Sequence, residues 1–115
     1  MEKTLTIDGK QVPFKSNGAV PLRYNSQFNR SFFKDIMGMV GDPNAVAKGK
    51  KVEIDVMKID FETFYSMTWV LAKTANPSIT DPMTWLDGFE EFPIFEIYPE
   101  LQDMIMSTLQ SAKKK

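Results

Sequence analysis

The sequence predicts a mainly α chain: a small bundle of four to five helices with an N-terminal β-hairpin, an α+β arrangement in a single domain over residues 1–115. Three observations lead there. Residues 60–75, DFETFYSMTWVLAKTA, are apolar over more than half of a helix surface. Residues 3–15, KTLTIDGKQVPFK, alternate on both sides of an Asp-Gly pair. From Pro21 onward, proline and capping residues divide the chain into pieces of helical length.

The hairpin comes first. Leu5 and Ile7 alternate with Thr4 and Thr6, and Val12 and Phe14 alternate after the turn. Gly9 accepts the positive φ of a tight primed turn. A lone hairpin is marginal in water, so its apolar face must lie on the helical body or on another chain. Pro13 cannot donate to a ladder, so its strand is an edge or is irregular there. The hairpin edge is also a possible contact by strand pairing.

Pro21 introduces a helix predicted over 22–40. Phe28, Phe32, Ile36 and Met39 form its apolar stripe, and Arg23, Gln27, Arg30 and Lys34 form the opposite one. The basic stripe reads either as a solvated face or as a socket for acids. Residues 41–51, GDPNAVAKGKK, read as a flexible loop. They lack the first glycine, the hydroxyl after lysine and the preceding strand of a phosphate loop. Residues 52–59 carry mixed strand and helix signals, with the helical reading favoured.

The central helix is predicted over 57–75, capped by Asp60 and stopped by Asn76-Pro77. Its apolar arc holds Phe61, Phe64, Tyr65, Met67, Thr68, Trp69, Leu71, Ala72 and Ala75, and its polar arc Glu62, Thr63, Ser66, Lys73 and Thr74. An arc that wide calls for neighbours on several sides. Asp81-Pro82 starts a further helix over 82–91, with Trp85, Leu86 and Phe89 inward and Gly88 weakening it. Pro93 ends it, and Ile94 to Ile97 form a short bridge. Pro99 opens the last helix, 99–112, whose apolar face is Leu101, Met104, Ile105, Thr108, Leu109 and Ala112.

Composition narrows the function. With no Cys and no His, thiol chemistry, a disulfide framework and the commonest general base and zinc ligand are ruled out. An enzyme would have to run on carboxylates. Asp87, Glu90, Glu91 and Glu96 make the one dense group, in which a pair such as Asp87/Glu91 at i, i+4 shares a helix face, with no nucleophile or ligand ring nearby. The expectation is therefore no enzyme, no cofactor and no metal. Residues 1–51 carry nine Lys/Arg against four Asp/Glu, and residues 52–115 five Lys against eleven acids. A pI near 5.4 is far from the basic footprint of a nucleic-acid binder. No apolar signal core or membrane span is present, so a cytoplasmic place is expected.

Three stretches resemble, in order, the short tail assembly chaperones of long-tailed bacteriophages and prophages of Gram-positive bacteria. They are LTIDGKQVPFKSNGAVPLRYNSQFNRSFFKDI at 5–36, KIDFETFYSMTWVLAKTANPSI at 58–79 and ITDPMTWLDGFEEFPIFEIYPELQDMI at 79–105. The resemblance implies a protein of the host bacterial cytoplasm, absent from the mature virion. It would bind the tape measure protein and keep it soluble and extended while the tail tube polymerises. It also implies that the tail tube protein is engaged through a longer, frameshifted form. The terminal Ala-Lys-Lys-Lys is compatible with such a slippery site and equally with an ordinary helix end. The rival reading is a structural tail or head–tail component retained in the virion.

For such a chaperone the candidate partner-binding residues are Phe89, Phe92, Phe95, Ile97 and Tyr98, crowded among Gly88, Pro93 and Pro99. The alternative is that they close the bottom of the core. Weak homo-oligomerisation is expected where Glu90, Glu91 and Glu96 of one copy meet Arg23, Arg30 and Lys34 of the next, a head-to-tail contact that salt would weaken.

Overall fold

In the computed structural model, which describes residues 1–39, 56–58 and 60–113, the chain builds an α+β fold on one long buried helix. The loop expected at 41–51 and most of the mixed segment 52–59 lie outside the described residues. Strands β1 (Glu2–Ile7) and β2 (Lys10–Lys15) pair antiparallel, Thr4 opposite Pro13 and Leu5 opposite Val12. Asp8 and Gly9 both have positive φ, 53° and 75°, the signature of the type I′ turn that matches strand twist. Ile7, Val12 and Phe14 turn inward and are buried.

The first predicted helix is two helices, α1 (Val20–Phe28) and α2 (Phe32–Met37). Asn29 takes the left-handed conformation at φ 53°, and its N–H closes on the Asn25 carbonyl. Ser31 then caps α2, its side chain accepting from Lys34 N–H. The Asn25 side chain accepts from Phe32 N–H at 2.8 Å and ties the two helices together. The apolar stripe survives this break: Phe32, Ile36 and Met39 are buried and Phe28 half-buried. The basic stripe does not survive as one helix face.

A 3₁₀ turn, Val56–Lys58, precedes α3 (Phe61–Ala75), which therefore starts four residues later than predicted. Asp60 caps α3 by accepting from Glu62 N–H at 3.0 Å and Thr63 N–H at 3.4 Å. Phe64, Met67, Thr68, Trp69, Val70, Leu71 and Ala72 are all buried. A run of six consecutive buried residues, 67–72, wraps a helix on every side. The hairpin lies over α3 through β2, and α1 packs on another of its sides. Thr63 departs from the polar arc assigned to it: it is buried and receives a hydrogen bond from Arg30.

Helix α4 covers only Pro82–Asp87, because Gly88 takes the C-cap. The Asp81 carboxylate accepts from the Thr84 hydroxyl at 2.7 Å and the Thr84 N–H at 3.1 Å. Those bonds hold its pKa below the ordinary value. With α4 ended, Asp87 and Glu91 do not share a helix face, so the carboxylate pairing drawn from their spacing is absent. Helix α5 runs Ile94–Lys113 with Pro99 inside it, where a helix start at Pro99 was predicted. Ile97, Leu101, Met104, Ile105 and Thr108 bury one face at helical spacing. Burial of Ile97 and Tyr98 on the body extends the helix back through the proline. The cost is one missing N–H, which leaves the Phe95 carbonyl without its helical donor. Among the described residues no helix is long and apolar enough to cross a membrane.

Replacing Pro99 restores that donor, so Pro99→Ala is expected to raise stability by about 1–3 kcal/mol. Urea unfolding of the two proteins checks it; an unchanged or lower midpoint would mean that the proline fits α5 without cost.

Candidate partner-binding surface

The connection between α4 and α5, residues 88–93, gathers aromatic side chains because it cannot be regular. Gly88 ends one helix, and the Pro93 carbonyl begins the next by accepting from Glu96 and Ile97 N–H. Trp85, Phe89 and Phe92 meet edge to face, with centroids 5.2 Å, 5.5 Å and 5.7 Å apart. Tyr65 of α3 joins Phe92 at 5.6 Å. The hairpin turn fastens the segment from outside. The Asp8 carboxylate accepts from Glu90 N–H at 3.0 Å, and Lys10 Nζ donates to the Gly88 carbonyl. Lys10 also sits 5.2 Å above the Phe89 ring, a cation–π contact.

The fold divides the five aromatic-segment candidates. Ile97 and Tyr98 are buried, Tyr98 meeting Phe64 at 6.2 Å, and offer no outward surface. Phe89 and Phe92 are half-buried and pack against the core. Phe95 points out, 64% exposed, and its ring meets that of Phe61, 48% exposed, at 5.8 Å. Met57, at 87%, is exposed just before α3. Phe61 was assigned to the inward arc. It is the first residue of α3, and the start of a helix can overhang the body it packs on. Periodicity carries no signal for that.

Glu62 and Glu96 follow Phe61 and Phe95 directly in the chain, and Glu90 and Glu91 lie in the link before α5; all four are exposed, and none makes an ion pair among the described residues. The result is a small exposed apolar pair, Phe61 and Phe95, on stretches that carry exposed acids at Glu62 and Glu96 and an exposed cation at Lys58. Such a surface suits an apolar helix face flanked by basic residues: the rings supply buried area, and the acids steer and orient. Among the described residues no group of three or more acids is placed to hold a metal ion.

The other candidate set is dispersed. Arg23 on α1 is half-buried, and its Nε is buried without a hydrogen-bond partner among the described residues. Arg30 lies between α1 and α2 and grips Asp35, Nε to Oδ2 at 3.0 Å and Nη2 to Oδ1 at 3.3 Å. Lys34 is exposed on α2. The break at Asn29 and the Arg30–Asp35 pair therefore remove the continuous cationic socket drawn from the sequence.

That pair belongs to a network the sequence did not announce. The Tyr24 hydroxyl donates to Asp35, and Arg30 Nη2 donates to Thr63 Oγ1 at 3.2 Å, linking α1, α2 and α3. Burial first, and then the hydrogen bond to Asp35, push the Tyr24 phenol well above its ordinary pKa of 10.0. Desolvation works against the Arg30 charge, but the charge and hydrogen bond of Asp35, together with Tyr24 and Asp60, raise the guanidinium pKa.

The folded Tyr24 holds its proton where the unfolded chain, near 10.0, gives it up. Its contribution to stability is complete below that pH and declines as pH rises through and above it. Denaturation between pH 8 and 11.5 is expected to show this decline, and Tyr24→Phe to flatten it. An identical slope in the variant would assign the loss to other groups.

No family model, curated protein or solved structure matches this chain.

Proposed function

We propose that this protein is a tail assembly chaperone that binds the tape measure protein of a long-tailed phage and keeps it soluble and extended in the host cytoplasm during tail tube polymerisation. The observation that carries the reading is the outward ring pair Phe61–Phe95, with Met57 exposed one turn earlier in the chain. The resemblance of the three sequence stretches supports it independently of that geometry.

The physics of the task fits a small ridge. A long helical client presents apolar surface repeatedly, so each chaperone needs to cover only a short length. Two or three exposed apolar side chains contribute about 1.5–3 kcal/mol each when fully buried, before the cost of ordering is met. One copy then binds weakly, and many copies along the client cover it collectively. Weak individual contacts also allow tube subunits to displace them. The exposed Glu62 and Glu96, each next to one of the two rings in the chain, favour client segments with basic flanks. The tail tube protein would be met through a longer, frameshifted form.

Co-expression with the tape measure protein of the same phage tests the reading. Client solubility and co-purification are expected with the natural chain. The double variant Phe61→Ser/Phe95→Ser is expected to lower co-purification tenfold or more while keeping its own fold, since both side chains are exposed. A client that stays insoluble, or needs no help, would sink the proposal. Recovery of the protein from purified particles by mass spectrometry would favour the structural component instead.

A further inference from the structure

The backbone of the hairpin has one open edge and one closed edge. In an antiparallel pair, opposed residues alternate between those that bond to each other and those whose N–H and C=O point away. The Ser16 N–H donates to the Met1 carbonyl at 2.9 Å, and the Met1 amino group donates to the Ser16 carbonyl at 3.2 Å. Met1–Ser16 is therefore a bonded pair. Counting along the register, Lys3–Phe14, Leu5–Val12 and Ile7–Lys10 are bonded, while Glu2–Lys15, Thr4–Pro13 and Thr6–Gln11 face outward. Pro13 provides a check: the one strand residue with no N–H falls where none is needed for the hairpin.

The same parity makes the two edges unequal. On β2 the outward groups belong to Gln11, Pro13 and Lys15, and the proline leaves a gap in the donors. On β1 they belong to Glu2, Thr4 and Thr6, all exposed, and among the described residues the sheet ends there. The N-terminal half of β1 also overhangs the body. Lys3 lies on the inward face of the pleat, yet its side chain is 44% exposed where it reaches Glu100 at 2.6 Å.

We propose that β1 pairs with β1 of a second copy, antiparallel about a two-fold axis at Thr4, giving a continuous sheet of order β2–β1–β1–β2. The occupant follows from the pattern of the edge itself. Centred on Thr4, the pairing sets Glu2 against Thr6 and Thr4 against Thr4, so every outward N–H and C=O of the edge finds a partner. Lys3 meets Leu5, and no like charges stand directly opposed. A register moved two residues one way sets Lys3 against Lys3, and moved the other way leaves Glu2 without a partner. Pro13 then lies on both outer edges of the joined sheet, so addition stops at two copies and no fibre grows. The contact depends on backbone bonds, so added salt leaves it in place, unlike the charge-driven array expected from the sequence. It is independent of which client the aromatic ridge takes.

Sedimentation of the full chain across a range of concentrations, with and without 0.5 M salt (roughly a 4 Å screening length), provides the test. A monomer–dimer equilibrium indifferent to salt is expected. Because Thr4 faces its own copy, Thr4→Lys alone and Thr4→Glu alone should each weaken the dimer severalfold, and an equimolar mixture of the two should restore it. Thr4→Pro should abolish it, since the lost donor points away from the hairpin. Circular dichroism reports whether that variant has kept its fold, and the two charge variants decide the matter if it has not. A natural chain that stays monomeric at every concentration, or a dimer unaltered in the variants, would overturn the proposal.

Discussion

Everything in this fold depends on burying α3 from several directions at once. A helix whose residues 67–72 are all inside cannot be satisfied by one neighbour. It takes β2 over one side, α1 on another and the start of α5 along its first turns. The dependence runs both ways. The hairpin has too little surface to stand alone, and Phe14 and Val12 find cover only on this body. Phe14, Tyr24, Phe32 and Phe64, from four different elements, are all essentially inaccessible to water. The core is thus one cluster with α3 at its centre.

A polar network spans the break in the first helix. Arg30 reaches both Asp35 and Thr63 from the short link between α1 and α2. Tyr24 then closes the network through Asp35, while its ring meets Phe28 at 5.2 Å and Phe32 at 5.5 Å. A straight helix would carry Arg30 outward on the basic stripe. Turning the chain at Asn29 exchanges a solvated cation for a satisfied ion pair between helices. Groups so placed specify one arrangement of α1, α2 and α3, because an unmet partner would be costly to leave.

The aromatic surface is held in place by the opposite end of the chain. Asp8 and Lys10, at the hairpin turn, bond the backbone of Glu90 and Gly88. An irregular six-residue link is thereby given a fixed course, and α5 starts where Phe95 meets Phe61. Hairpin, link and ridge are mechanically connected, although the turn lies some eighty residues earlier in sequence. The same hairpin carries the open β1 edge, so the aromatic surface and the proposed dimer seam share one support.

The sequence by itself determined the parts whose signals are local. The Asp-Gly turn, the caps at Asp60 and Asp81, the stop at Asn76 and the wide apolar arc of α3 each follow from backbone preference or periodicity within a few residues, whereas the helix read over 82–91 stops early, at Gly88. The stop at Asn29 and restart at Ser31 were also legible, but the apolar stripe continuing through Phe28, Phe32 and Ile36 masked them. Only the tertiary structure decided the rest. Pro99 sits inside α5 because Ile97 and Tyr98 are buried against distant elements, and that gain outweighs a local rule. Thr63 lies inside, where its hydroxyl accepts from Arg30 across the α1–α2 link. Phe95 and Phe61 stayed outside, while Ile97 and Tyr98 did not, because exposure depends on which side of a helix the body occupies. A one-dimensional pattern can count apolar residues, but the packing of remote elements chooses which of them meet water.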